Sequence, residues 1–144
     1  MIQVIQVDED NRHVVNTAMV KLGCPASSLG FGFWDGDRCV GGTTLNKVFM
    51  PTLNLEFYSS DYSMIKAISY AFSEFFKVTG SLVGKINKSN TKSLKIAKVL
   101  GFRLLYVKNG TCTVELIPEN WRFKSKAPLT ITRQSTKKEE TYDN

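Results

Sequence analysis

The sequence predicts an α/β (α+β) domain, a mixed central sheet flanked by helices, on three observations. Short runs that alternate apolar and polar residues, the mark of half-buried strands, recur from Ile2 to Ile117. Two stretches, around Met64–Phe76 and around Leu94–Leu100, repeat apolar residues at helical spacing. The turn dipeptides Asp35-Gly36 and Asn109-Gly110 each lie between strand-like runs. Strands interleaved with helices that each have one apolar face bury those faces best as a sheet with helices on both sides.

Each element has a local cause. Ile2 to Val7 alternates and suits a first strand. Asp8 is placed to cap a helix whose face is Val14, Val15, Ala18, Met19 and Leu22, and Gly23 followed by Pro25 stops it. Phe31 to Trp34 and Arg38 to Leu45 read as the arms of a hairpin around Asp35-Gly36, with Gly41 and Gly42 permitting a bend or a close backbone approach. Val48 to Tyr58 is the next strand, with Leu53, Leu55 and Phe57 on one face and Asn54, Glu56 and Tyr58 on the other. Asp61 can cap a long helix with the stripe Met64, Ile65, Ile68, Ala71, Phe72, Phe75 and Phe76, which Gly80 ends. Ser81 to Asn87 is a short strand. Asn90 then caps a helix whose stripe is Leu94, Ala97 and Leu100, with Ile96 and Val99 alongside, and Gly101 suits its left-handed terminus. Arg103 to Lys108 and Thr111 to Ile117 pair around Asn109-Gly110, Pro118 stops the second, and Trp121 is placed to pack back on the sheet.

Composition sets outer bounds. A chain of 144 residues, 42% hydrophobic and 22% charged, supports one domain with its own core, expected over residues 1–121. Residues 122–144 are polar and charged and are expected to be a flexible basic tail, with six Lys/Arg against three Asp/Glu, half of the net charge of +6. A positive chain favours anionic partners such as nucleic acid or a phosphorylated small molecule. Cys24, Cys39 and Cys112 are odd in number, without C-x-x-C spacing, and read as reduced thiols; with the single histidine, His13, they suggest no metal site. No apolar run approaches the ~18 residues of a membrane span, and the N-terminus MIQVIQVDED has no signal-peptide pattern, so the expected compartment is the cytoplasm and no membrane partner is expected.

Ser89 to Phe102, SNTKSLKIAKVLGF, carries a resemblance. It is similar to the C-terminal signature of the GNAT-type (acyl-CoA) N-acetyltransferases, where a strand ends near an Asn, followed by Asn-x-x-Ala, an aromatic pair and a closing Gly-Phe. Asn90, Ser93, Leu100, Gly101 and Phe102 fall in that register without a gap. The hairpin WDGDRCVGGTTL and the order of elements over residues 1–118 resemble the same family. There are two departures. The position where many members carry a Tyr, often the acid that protonates the departing thiolate, is Ala97. The family's Arg/Gln-x-x-Gly-x-Gly/Ala loop is replaced by Ser59 to Met64, without glycine or a basic residue. A similar closing unit, also without the Tyr, occurs in small GNAT-like proteins of short-tailed phages.

The resemblance implies acetyl-CoA in a notch between two diverging parallel strands, here Thr52 to Tyr58 and Leu82 to Asn87, with its pyrophosphate on the N–H groups that open the long helix. A helix N-terminus favours an anion through its open donors and dipole, although a capping Asp61 competes for the same donors. The implied cofactor contacts are Phe57, Ser59, Ser60, Ser63, Met64, Asn90 and Ser93. Glu56, on the polar face of its strand, is the candidate catalytic base; the competing reading is a solvated strand carboxylate. Three functions follow: an acetyl-CoA-dependent N-acetyltransferase acting on an amine-bearing substrate; a catalytically degenerate GNAT-like phage protein that binds host or virion proteins; and a GNAT-like nucleic-acid modifier, supported by the positive charge alone.

Overall fold

A computed structural model describes residues 2–25, 28–46, 52–58 and 62–121. The elements in chain order are β1 (Ile2–Gln6), α1 (Arg12–Ala18), β2 (Leu29–Asp35), β3 (Arg38–Asn46), β4 (Thr52–Phe57), α2 (Tyr62–Phe75), β5 (Leu82–Asn87), α3 (Thr91–Leu100), β6 (Arg103–Lys108) and β7 (Thr111–Leu116), then a 3₁₀ turn at Pro118–Asn120. They form the expected mixed sheet, of seven strands in the order β1-β2-β3-β4-β5-β7-β6. β1 to β4 are antiparallel neighbours, β4 and β5 are parallel, and β5, β7 and β6 are antiparallel again.

The helices lie on both faces. α2 buries Met64, Ala67, Ile68, Ala71, Phe72 and Phe75 in the main core with Val4, Phe33, Leu45, Leu53, Leu82 and Leu116, and Leu100 of α3 joins the same cluster. Each large side chain so buried contributes about 1.5–3 kcal/mol of transfer free energy. Trp121 packs on Phe72 with ring centroids 5.1 Å apart, so it closes the core against α2. α1 covers the opposite face through Val15, with Met19 and Leu22 of the following turns. Gly42 makes this fit, because a Cβ there would come within 2.8 Å of Leu22 Cδ2. No described helix is long and apolar enough to cross a membrane.

Several local expectations are corrected. α1 ends at Ala18, not Leu22, although Met19 and Leu22 keep their core positions. Asp8 caps the turn ahead of α1, accepting the N–H groups of Asp10 (2.9 Å) and Asn11 (3.0 Å), and Asn11 holds the N-cap position. In the first hairpin Asp35 pairs with Arg38, so the turn residues are Gly36-Asp37 and only Gly36 has positive φ (+64°), as a type II′ turn requires. At the second hairpin Asn109 (φ +51°) and Gly110 (φ +76°) are both left-handed, as type I′ requires. α2 ends at Phe75 in a tightened turn closed by Val78 N–H on Phe75 O, so Gly80 is not its cap. Val99 points to solvent rather than into the stripe of α3. Residues 122–144, the expected tail, lie outside the described residues, as does the start of the strand expected from Val48.

Candidate active site

The central fact is how β4 and β5 meet. Among the described residues these parallel neighbours share a single bridge, Thr52 with Val83, at their N-terminal ends. Beyond it each strand runs on without pairing to the other, although β4 stays paired to β3 through Gly41–Phe57 and β5 to β7 through Asn87–Thr111. The sheet is therefore open between the carboxyl ends of its two parallel strands. Crevices outside such ends are where open α/β sheets take ligands.

The opening is lined by backbone. Tyr58 N–H donates to Val40 O at 2.9 Å, so Tyr58 is a hydrogen-bonded partner of β3, and alternation makes Glu56 and Asn54 the same. The N–H and C=O of Leu55 and Phe57 consequently point away from β3, into the gap. On the other side Lys88 N–H donates to Gly110 O at 2.8 Å, and the same alternation turns the backbone of Lys85 toward the gap. A ligand carrying amides can lie here as an extra strand, satisfying these groups as a sheet edge takes an extended peptide.

Side chains place Glu56 at one lip. Leu53, Leu55 and Phe57 pack toward the main core, so Glu56 points to the α1 face. It is half-buried. Its Oε1 accepts the backbone N–H of Lys21 at 3.0 Å, from the turn after α1, and its Oε2 accepts the hydroxyl of Tyr58. The Tyr58 pKa is raised, first by that hydrogen bond, since a phenolate beside a carboxylate is disfavoured. Cys39 lies close enough for the Glu56 charge to oppose its ionisation, but burial is the larger cause of its raised pKa. Glu56 is thus held by two donors whose elements meet only in the folded chain.

The other sequence-predicted residues divide. Phe57 offers its backbone to the gap while its ring packs on the core. Ser63 Oγ accepts Ile2 N–H at 3.3 Å at the start of α2, and the Met64 side chain is in the core. Ser59 and Ser60, with Asp61, lie outside the described residues. Asn90 caps α3, its Oδ1 accepting Ser93 N–H at 3.1 Å. Ala97 is 7% exposed and packs inward, so α3 brings no hydroxyl to that position. Sequence reasoning missed the Lys21 N–H, a contact across 35 positions with no local signal. It also missed the backbone of Leu55, which only the ladder register reveals.

No family profile matches the sequence, and no curated protein matches it. Solved structures do. An N-acetyltransferase from Staphylococcus aureus Mu50 superimposes with a TM-score of 0.65 at 12% identity, covering 81% of this chain and 97% of its own. The ribosomal-protein-S18-alanine N-acetyltransferase of Escherichia coli gives 0.62 at 14%, covering 81% and 94%. The Campylobacter jejuni N-acetyltransferase PseH, in complex with acetyl coenzyme A, gives 0.56 at 17%, covering 82% and 99%. With its sheet open between two parallel strands, this chain has the fold of the GNAT-type N-acetyltransferases.

Proposed function

We propose that the protein is an acetyl-CoA-dependent N-acetyltransferase and that Glu56 is its base. The observation that carries this reading is the single bridge between β4 and β5 among the described residues, which leaves a slot edged with backbone groups turned away from their outer ladders, beside a held carboxylate. The slot fits the group: the N–H and C=O of Leu55 and Phe57 suit the amides of a pantetheine arm, and the start of α2 beside it suits a pyrophosphate. Acetyl-CoA in the slot would supply an activated thioester whose C–S bond breaks as the C–N bond forms. The chain's part is to bring the amine in uncharged and to orient it. Glu56 takes the ammonium proton, directly or through one water, and the Lys21 N–H and the Tyr58 hydroxyl hold its carboxylate toward the slot. No acid is required opposite it, because a thiolate of pKa about 8.5 leaves unaided near neutrality, which is compatible with Ala97.

Calorimetric titration with acetyl-CoA tests the reading. Heat of binding is expected, together with amine-dependent thiol release that falls about 100-fold or more in Glu56→Gln, the usual scale of general-base catalysis. Absence of binding at about 1 mM, where a complex worth only about −4 kcal/mol is half formed, overturns it. Ala97 and the loop without glycine favour one second reading, a chain that keeps the fold and acts by binding host or virion proteins. A silent calorimeter combined with a stable complex would select it.

A further inference from the structure

The sheet face that carries Glu56 is covered by α1 over β3, and no described helix covers the same face of β5, β7 and β6. Register decides which side chains stand on that bare face. Leu82 lies in the main core, so Lys85 and Asn87 point the other way, to the Glu56 side. Cross-strand pairing then builds two rows running outward from the slot. One is Lys85–Thr113–Tyr106 and the next is Asn87–Thr111–Lys108. Glu115 is the one carboxylate on these three strands, and Arg103 neutralises it at 2.9 Å. Lys85 and Lys108 are exposed and have no ion-pair partner among the described residues. Tyr106, beside Lys108 on the edge strand, is 54% exposed, and Thr113 is buried between Lys85 and Tyr106. The face is therefore cationic with an aromatic residue at its outer edge, and it runs up to the lip opposite Glu56.

We propose that this face docks the acetyl acceptor, and that the acceptor is an acidic peptide in extended conformation whose amine reaches Glu56. The proposal rests on the acetyltransferase reading for the fate of the amine, but the docking surface stands on register and charge alone. Two strand spacings and a two-residue step separate Lys85 from Lys108 by about 12 Å, and an extended chain rising ~3.3 Å per residue spans that in about four residues. Acidic side chains four positions apart would meet both cations, while the segment between them crosses β7 at Thr113 and Thr111 with Tyr106 alongside on the edge strand. An enclosed small molecule has no use for charges so far apart on a flat surface.

Fluorescence anisotropy on the full chain tests this. The probes are equal-length peptides with a free N-terminus and a C-terminal fluorophore, carrying two Asp, two Ser or two Lys four residues apart. The acidic peptide is expected to bind at least about tenfold more tightly than the basic one and to weaken as salt rises. Lys85→Glu and Lys108→Glu should each weaken it about fivefold, the scale of exposed charge pairs. Lys108→Glu, two strands from the slot, should keep its acetyl-CoA affinity by calorimetry. Equal binding of acidic and basic peptides, or unchanged affinity in both variants, overturns the proposal whatever acetyl-CoA does. Acidic-peptide binding that responds to both variants in a protein that ignores acetyl-CoA upholds the surface and overturns the enzyme reading instead.

Discussion

Gly101 and Gly110 make a matched pair that separates backbone strain from steric exclusion. Both have positive φ, +107° and +76°, Gly101 at the C-cap of α3 and Gly110 in the turn between β6 and β7. A Cβ at Gly110 would meet nothing within 4 Å, so Gly110→Ala carries only the left-handed penalty, about 1–2 kcal/mol. At Gly101 the same Cβ would sit 2.1 Å from Asn120 O and 3.3 Å from Leu116 Cδ1. No rotamer relieves contact with a backbone oxygen, so the 3₁₀ turn must lift, and with it Trp121 loses part of its packing on Phe72. Full loss of a buried Trp costs about 3–5 kcal/mol. Partial loss added to strain gives about 3–5 kcal/mol for Gly101→Ala, about two to three times the cost at Gly110. Urea unfolding, with the midpoint and slope of each variant, measures the difference. Trp121 is one of two tryptophans, so a Trp34→Phe background makes its emission report on the lifted turn. If Gly101→Ala and Gly110→Ala fall within about 0.5 kcal/mol of each other, the close approach of the 3₁₀ turn to α3 is wrong.

Three further outcomes follow from the described contacts. The Tyr58 hydroxyl should hold its proton to higher pH than a free tyrosine, and Glu56→Gln should move its titration back down; ultraviolet pH titration against Tyr58→Phe reads both, and an unmoved curve rejects the dyad. Asn90→Ala should cost about 1 kcal/mol in urea unfolding through loss of the Ser93 cap, and Asn90→Asp should restore most of it. The thiols of Cys24 and Cys39 have raised pKa values, chiefly from burial, and Cys112 is buried, so the native protein should react slowly with an aromatic disulfide near neutral pH and release three equivalents at once when unfolded. Prompt reaction of all three in the native state would contradict the burial.

What the sequence made legible was whatever is written within one turn or one strand. Asn90, Gly101 and the Asn109-Gly110 turn behave as their side chains and steric freedom dictate, because caps and turns involve neighbours in the chain. The Asp35-Gly36 reading slipped by one position because an Asp-Gly dipeptide can occupy two places in a hairpin, and only the pairing of Asp35 with Arg38 chooses between them. Strand β6 looked like any half-buried strand, but Leu104, Leu105, Tyr106 and Val107 are all exposed, since edge position is set by strand order and not by the strand itself. At the site, alternation put Glu56 on the correct face, whereas the donors that hold it come from a turn after α1 and from its own strand end. Gly42 carried a faint signal: a glycine in a strand marks a close approach, here by Leu22, whose neighbour supplies the Lys21 N–H.

Because among the described residues one bridge alone ties β4 to β5, the two halves of the sheet are held together by rings as well as by hydrogen bonds. Phe75 of α2 touches Phe31 of β2 on one side and stacks on Phe72, which touches Phe102 at the head of β6 and Trp121 beyond β7 on the other, with centroids 5.1–6.3 Å apart. The distance between the half-sheets is thereby a matter of aromatic volume, as the gauge of a hinge is set by its pin. Trimming Phe72 would retune the whole aperture without altering a single atom along its rim.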